Sequence, residues 1–185
     1  MDEEPFEDLI CQAAQQLWMR GLIVGQSGMI SVEEHRRRYL VTPPGVRRSN
    51  LTPQDLLVVD VWGAAISGAR VLDADLWLPH RLAYQGNANG DTSVHATIEA
   101  CPPMTIALAR SMNNAPTLDL PGLPAIAMVM NNDEQSIRNA VDAHRVIILN
   151  NTSIVALAPD LAGAMNMLEA VEHASTIELA SRGKG

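Results

Sequence analysis

At 185 residues, 47% hydrophobic and a formal net charge of −8, the chain has the size of one domain and can bury a core that needs neither disulfide nor metal. The basic residues are scattered apart from Arg36-Arg37-Arg38 and Arg47-Arg48, which excludes a nucleic-acid footprint and reads as solvated loops or subunit contacts. Cys11 and Cys101 show no metal-type spacing and fit a reducing compartment; with no signal-peptide pattern and no membrane-length apolar stretch, the expectation is a soluble cytoplasmic protein.

In chain order, Leu9, Ile10, Ala13 and Leu17 predict an amphipathic helix from about Phe6 to Arg20, with acidic residues early and Gly21 ending it. Met29 to Val32 alternates as a strand after a Gly25 to Gly28 turn, and Tyr39 to Thr42 reads as its hairpin partner. Pro53 opens a helical turn, Leu56 to Val61 is a buried strand, and Gly63 and Gly68 bracket a turn. Trp77 to Gln85 is helical and is followed by a polar loop from Gly86 to Asp91, whose length and glycines suggest ligand gating. Further strands are expected at Val94 to Ala100, at Ala125 to Met130, and at Val146 to Leu149 with Ile154 to Leu157 as a hairpin. Helices are expected at Pro103 to Met112 and Ser136 to Ala143, with a last one capped by Asp160. The sum is an α/β fold, three-layered, with a central mainly antiparallel sheet flanked by helices, in one domain over residues 1–185.

Several pieces carry a resemblance: Gly25-Gln26-Ser27-Gly28-Met29-Ile30-Ser31-Val32, Leu40-Val41-Thr42-Pro43-Pro44-Gly45, and the run Leu51 to Asp60. Together with Leu76-Trp77-Leu78-Pro79-His80-Arg81 and Ala107-Leu108-Ala109, and in this order, they resemble the class II aldolases and adducin head domains over nearly the whole chain. The resemblance implies a homotetramer or other homo-oligomer, with a small-molecule ligand in a cleft between subunits. Neither nucleic acid nor membrane is an expected partner. His80 and Tyr84 match residues that are structural in that family.

The family holds zinc with three histidines. An ungapped reading back from Ala109 puts Glu99 and Cys101 at the first two ligand positions, and Thr152, next to Asn151, at the third. A gapped reading would make His95 the first ligand and Thr97 the second. A hydroxyl is a poor zinc donor beside imidazole or thiolate, so no metal and no cofactor are expected. Leu76 stands where the family has its catalytic carboxylate, and Asp75, on a segment read as extended, faces the other way. Met29 and Pro44 replace polar groups of the phosphate site, while Gly28 and Gly45 remain.

These replacements point to a less polar pocket lined by Met29, Leu76, Met104, Thr152, Asn151, His95 and Gly28. Glu99 is the candidate acid/base, because burial in an apolar cleft raises a carboxyl pKa; Cys101 is the candidate second polar group or nucleophile. A purely structural account instead pairs Glu99 with an arginine such as Arg81. Two functions follow: a metal-independent lyase, isomerase or cyclase acting on a relatively apolar metabolite, or a non-catalytic scaffold or partner subunit of a catalytic relative. A metal held by His95, Glu99 and Cys101 is the third and weakest option.

Overall fold

The structure, a computed structural model, describes residues 5–35, 37–67, 72–86, 93–112 and 115–183. The first helix, α1 (Phe6–Met19), turns Ile10, Ala13, Ala14 and Leu17 inward, and Glu7 and Asp8 in its first turn complement the helix dipole. Strands β1 (Met29–His35) and β2 (Arg38–Val41) form a hairpin, and β3 (Leu57–Asp60) and β4 (Ala65–Ser67) extend it outward. Next come α2 (Ala74–Tyr84), β5 (Ala96–Ala100), α3 (Pro103–Ser111), β6 (Thr117–Leu118) and β7 (Ile126–Val129). The described chain closes with α4 (Glu134–Ala143), β8 (Val146–Leu149), β9 (Ser153–Ala158) and α5 (Leu161–Arg182), the last capped by Asp160.

The nine strands form one sheet in the order β4-β3-β2-β1-β5-β9-β8-β7-β6, antiparallel throughout except for the parallel β7/β8 pair. Side chains alternate across it, as the pleat demands. Ile30, Val32, Leu40, Ile98, Ile148 and Ile154 pack under α1, α3 and α5. Met29, Tyr39, Val41, Leu149, Val155 and Leu157 pack under α2 and α4. The expected α/β fold with a mainly antiparallel sheet between helices is therefore present.

Three local expectations change. Helix α2 starts at Ala74, three residues before Trp77, because the Asp73 carboxylate accepts from the Asp75 and Leu76 N–H groups and caps it. Ala65–Ser67 and Thr117–Leu118 are short edge strands where no strand was expected. Arg48 is not in a solvated run: it is 1% exposed, and its guanidinium donates to the carbonyls of Pro43, Val46 and Gly28. Burial lowers its pKa to about 10, so it stays charged at neutral pH. Most of the Gly86 to Asp91 loop lies outside the described residues. Among the described residues no helix is long and apolar enough to cross a membrane.

Candidate functional site

The site is built on the face of β5 that looks toward α2. Glu99 pairs with Met29 of β1 on one side and Val155 of β9 on the other. It reaches a cavity of about 310 Å³ where β5 and β8 end and β9 begins. Leu149, Thr152 and Ser153 come from the β8–β9 turn, which Asn150 and Asn151 make possible by adopting φ of 49° and 53°. Asparagine tolerates that left-handed conformation better than other side chains do. Helix α2 supplies Asp75, Leu76 and Pro79; α4 supplies Ile137, and the segment before it Asn132.

Pro79 has no N–H to give the carbonyl four residues back, so the main-chain oxygen of Asp75 loses its helical partner beside the cavity. Because Asp75 lies in a helical turn rather than an extended segment, both it and Leu76 line the cavity. The expectation that Asp75 faces away is corrected on that ground. Leu76 itself is 47% exposed and sits at the rim.

Burial raises the Glu99 carboxyl pKa above the ordinary carboxylate value, and a hydrogen bond with the Ser153 side chain offsets part of the rise. Arg81 is not that partner: it pairs with Glu134 at 3.0 Å. Cys101 lies just past β5, with its N–H on the Leu22 carbonyl. Burial, then the nearby Glu99, push its thiol pKa up, against a hydrogen bond with Ser27. The thiolate that a nucleophile needs is disfavoured.

The other expected pocket residues separate. Met29 is 4% exposed and packed in the core beneath α2, and Met104 starts α3 on the opposite side of the sheet, its N–H on Glu172. Neither lines the cavity. Asn151 shapes the turn, and its Oδ1 is buried without a hydrogen-bond partner. Gly28 backs the site: a Cβ there would run into the Glu99 carbonyl, and its φ of 72° is one that side chains rarely adopt. His95 is at the far end of β5, where its Nδ1 meets Glu33 Oε2 at 2.9 Å. The lining mixes Leu76, Pro79, Ile137 and Leu149 with carboxylates, hydroxyls and an amide, so it is less apolar than the sequence suggests.

The donors at the three positions that the resemblance aligns with zinc ligands fit a zinc ion poorly. Burial works against ionisation of both Glu99 and the Cys101 thiol, and the Thr152 hydroxyl donates to the Leu149 carbonyl at 3.0 Å. Each would have to give up a hydrogen or a bond to coordinate. Among the described residues no three His, Cys, Asp or Glu side chains group so as to hold a metal.

Between Glu99 and His95 lies a buried polar layer. The Tyr84 hydroxyl donates to the Ser31 carbonyl at 2.8 Å, so it accepts from Ser31 Oγ at 2.7 Å. Ser31 Oγ must then accept from His80 Nδ1, 2.6 Å away, which leaves Nε2 a bare acceptor, buried and without a partner. Burial lowers the His80 pKa to about 3, so the ring is neutral.

Comparison with known proteins agrees with this architecture. The family model described as Class II Aldolase and Adducin N-terminal domain matches residues 8–179. The L-fuculose-1-phosphate aldolase of Thermus thermophilus superposes with a TM-score of 0.77 at 24% identity, over 95% of this chain and 93% of that one. YgbL of Klebsiella pneumoniae, described as a candidate aldolase/epimerase/decarboxylase, gives 0.82 at 21% identity over 94% and 88%. A sugar-phosphate aldolase of Thermotoga maritima gives 0.78 at 17% identity over 97% and 95%. At identities this low, the superpositions establish the shared fold and nothing further. No curated protein sequence matches the chain significantly.

Proposed function

We propose, from the premise that this chain belongs to the class II aldolase and adducin N-terminal domain family, that it performs metal-independent acid–base chemistry on a small, partly apolar carbonyl compound. The reaction class is lyase, isomerase or cyclase. The observation that carries this reading is Glu99: a carboxyl disposed by burial to keep its proton, hydrogen-bonded to Ser153, on the wall of a cavity of about 310 Å³. A neutral carboxylic acid in such a place can do by hydrogen bonding what a Lewis acid does by charge, namely stabilise a carbonyl oxygen as negative charge develops on it.

The chemistry named for the structural relatives, aldol cleavage, epimerisation and decarboxylation, has in common an enolate or carbanion beside a carbonyl. In this chain Glu99 gives its proton to the carbonyl oxygen, and the Asp75 carboxylate takes one from the adjacent carbon, producing a neutral enol; the reverse transfers restore both groups. Leu76, Pro79, Ile137 and Leu149 hold the apolar part of the substrate, and Asn132 and Thr152 its remaining oxygens. Leu76 and Asp75 lie at an open rim, which suits a cleft completed by a second subunit of a homotetramer or other homo-oligomer.

The test is deuterium uptake in D₂O, followed by NMR, at the carbon next to the carbonyl in a panel of small hydroxyketones and keto acids. Exchange should survive exhaustive chelation and fall at least about 100-fold in Glu99→Gln, the usual scale for one acid–base group. Exchange lost on chelation, or unchanged in Glu99→Gln, would overturn it. A chain that exchanges nothing and instead assembles with a catalytic relative would support the scaffold reading.

A further inference from the structure

A second cavity, about 470 Å³ against about 310 Å³ for the first, lies at the other end of the same sheet face and has no part in the chemistry above. Its base is a lateral row across three strands. Glu33 is in register with Tyr39, and the Glu33 N–H donates to the carbonyl of His95 at 2.8 Å. By the two-residue alternation, His95 projects to the same face as Thr97 and Glu99, and Glu33 to the same face as Ser31. Trp62 and Gln85 complete the walls.

Both oxygens of Glu33 are committed: Oε1 accepts from the Arg37 N–H at 3.2 Å, and Oε2 meets His95 Nδ1 at 2.9 Å. A carboxylate only accepts, so Nδ1 carries a hydrogen, and in the neutral ring Nε2 offers a lone pair. Carboxylate and imidazole thus fix one tautomer of a half-exposed histidine, an ordering that nothing in the core requires. The aromatic surroundings are ordered too. Tyr39 and Tyr84 have ring centroids 4.4 Å apart, and the Arg81 guanidinium sits 5.4 Å from the Trp62 ring. Trp62 nevertheless remains 67% exposed, a large apolar surface that contributes little to the core. Gln85 Oε1 accepts from Arg138 at 2.7 Å, which turns its amide N–H₂ into the available donor.

We propose that this cavity is a second small-molecule site, for a flat aromatic or heteroaromatic ligand whose ring hydroxyl or ring N–H donates to His95 Nε2. The ring packs against Trp62, above a floor to which the buried Tyr39 contributes, and the Gln85 amide donates to an acceptor on the ligand where there is one. The oriented histidine supplies selectivity, since a ligand without the donor leaves Nε2 desolvated and unpaired.

The experiment titrates the isotopically labelled full chain with phenol and with anisole, the same ring lacking the donor, and follows the Trp62 indole N–H and the His95 ring nitrogens by NMR. Phenol should give saturable shifts at Glu33, Tyr39, Trp62 and His95 rather than at Thr152 and Ser153, and anisole should bind about tenfold more weakly, the value of one hydrogen bond. His95→Ala and Trp62→Ala, both at exposed positions, should each weaken phenol about tenfold while the remaining amide spectrum stays native. The proposal fails if shifts do not saturate by roughly 10 mM, a lenient limit for so small a ligand. It also fails if phenol and anisole bind alike, or if both variants with native spectra bind phenol as the parent does.

Discussion

The two faces of the sheet are made from the same strands but from different chemistry. Under α1, α3 and α5 the buried cluster is aliphatic and contains no aromatic residue among those described. Under α2 and α4 the cluster includes Tyr39, Trp77 and Tyr84, surrounds buried Ser31, His80 and Thr97, and opens into a cavity at each end of β5. Adjacent residues of one strand serve the two sides: Ile98 is fully buried in the aliphatic layer, and Glu99 faces the cavity. Cohesion and chemistry are thereby separated by a single step of the pleat.

The largest expected effect tests that separation directly. Ile98→Ala removes a fully buried side chain and should cost about 2–5 kcal/mol in denaturant unfolding. The exchange rate per folded molecule should stay within a few-fold of the parent; a loss of the catalytic signal parallel to the loss of stability would break the comparison.

An intermediate effect comes from the polar layer. Because the folded value of His80 is about 3 against an ordinary 6.5, the unfolded chain binds a proton below pH 6.5 that the folded chain refuses. Stability is therefore lost as pH falls from 6.5 toward 3, by about 1.4 kcal/mol per unit from this residue. Unfolding measured at pH 7 and pH 5 should show a smaller loss in His80→Gln than in the parent; equal losses would refute the assignment.

The smallest effect is opposite in sign. Glu99 has a raised folded value, so above the ordinary carboxylate value the unfolded chain releases a proton that the folded chain keeps, and folding weakens as pH rises through that window. Glu99→Gln removes this term and should raise Tm measured above that window, while exchange falls at least about 100-fold. A Tm that falls would mean that the Ser153 hydrogen bond outweighs burial.

Much of this was legible in the sequence, because a pleated sheet with both faces covered writes itself as apolar runs between prolines and glycines. The five helices among the described residues and the longer strands follow from that pattern. Ala65–Ser67 and Thr117–Leu118 do not, since two or three residues at a sheet edge carry no period. Glu99, Leu76 and Thr152, singled out by position, line one cavity. Met104 was misplaced because position in the sequence does not say which side of the sheet a residue occupies; Met29 is on the Glu99 face but is packed into the core instead of lining the cavity. Asp75 was misjudged because a cap at Asp73 moved the helix start. Arg48 was misread as solvated because its partners are carbonyls, which leave no mark in side-chain sequence.

Gly28 sets a depth stop for the whole site. Its missing Cβ is the space that the Glu99 carbonyl occupies, and its own carbonyl is held by the buried Arg48. The acid is thus positioned from behind by a residue that offers no functional group. Any side chain at position 28, even a methyl, must first push the end of β5 away from the glycine turn. The constraint falls on the main chain: the Glu99 backbone cannot change address while Gly28 stays where it is.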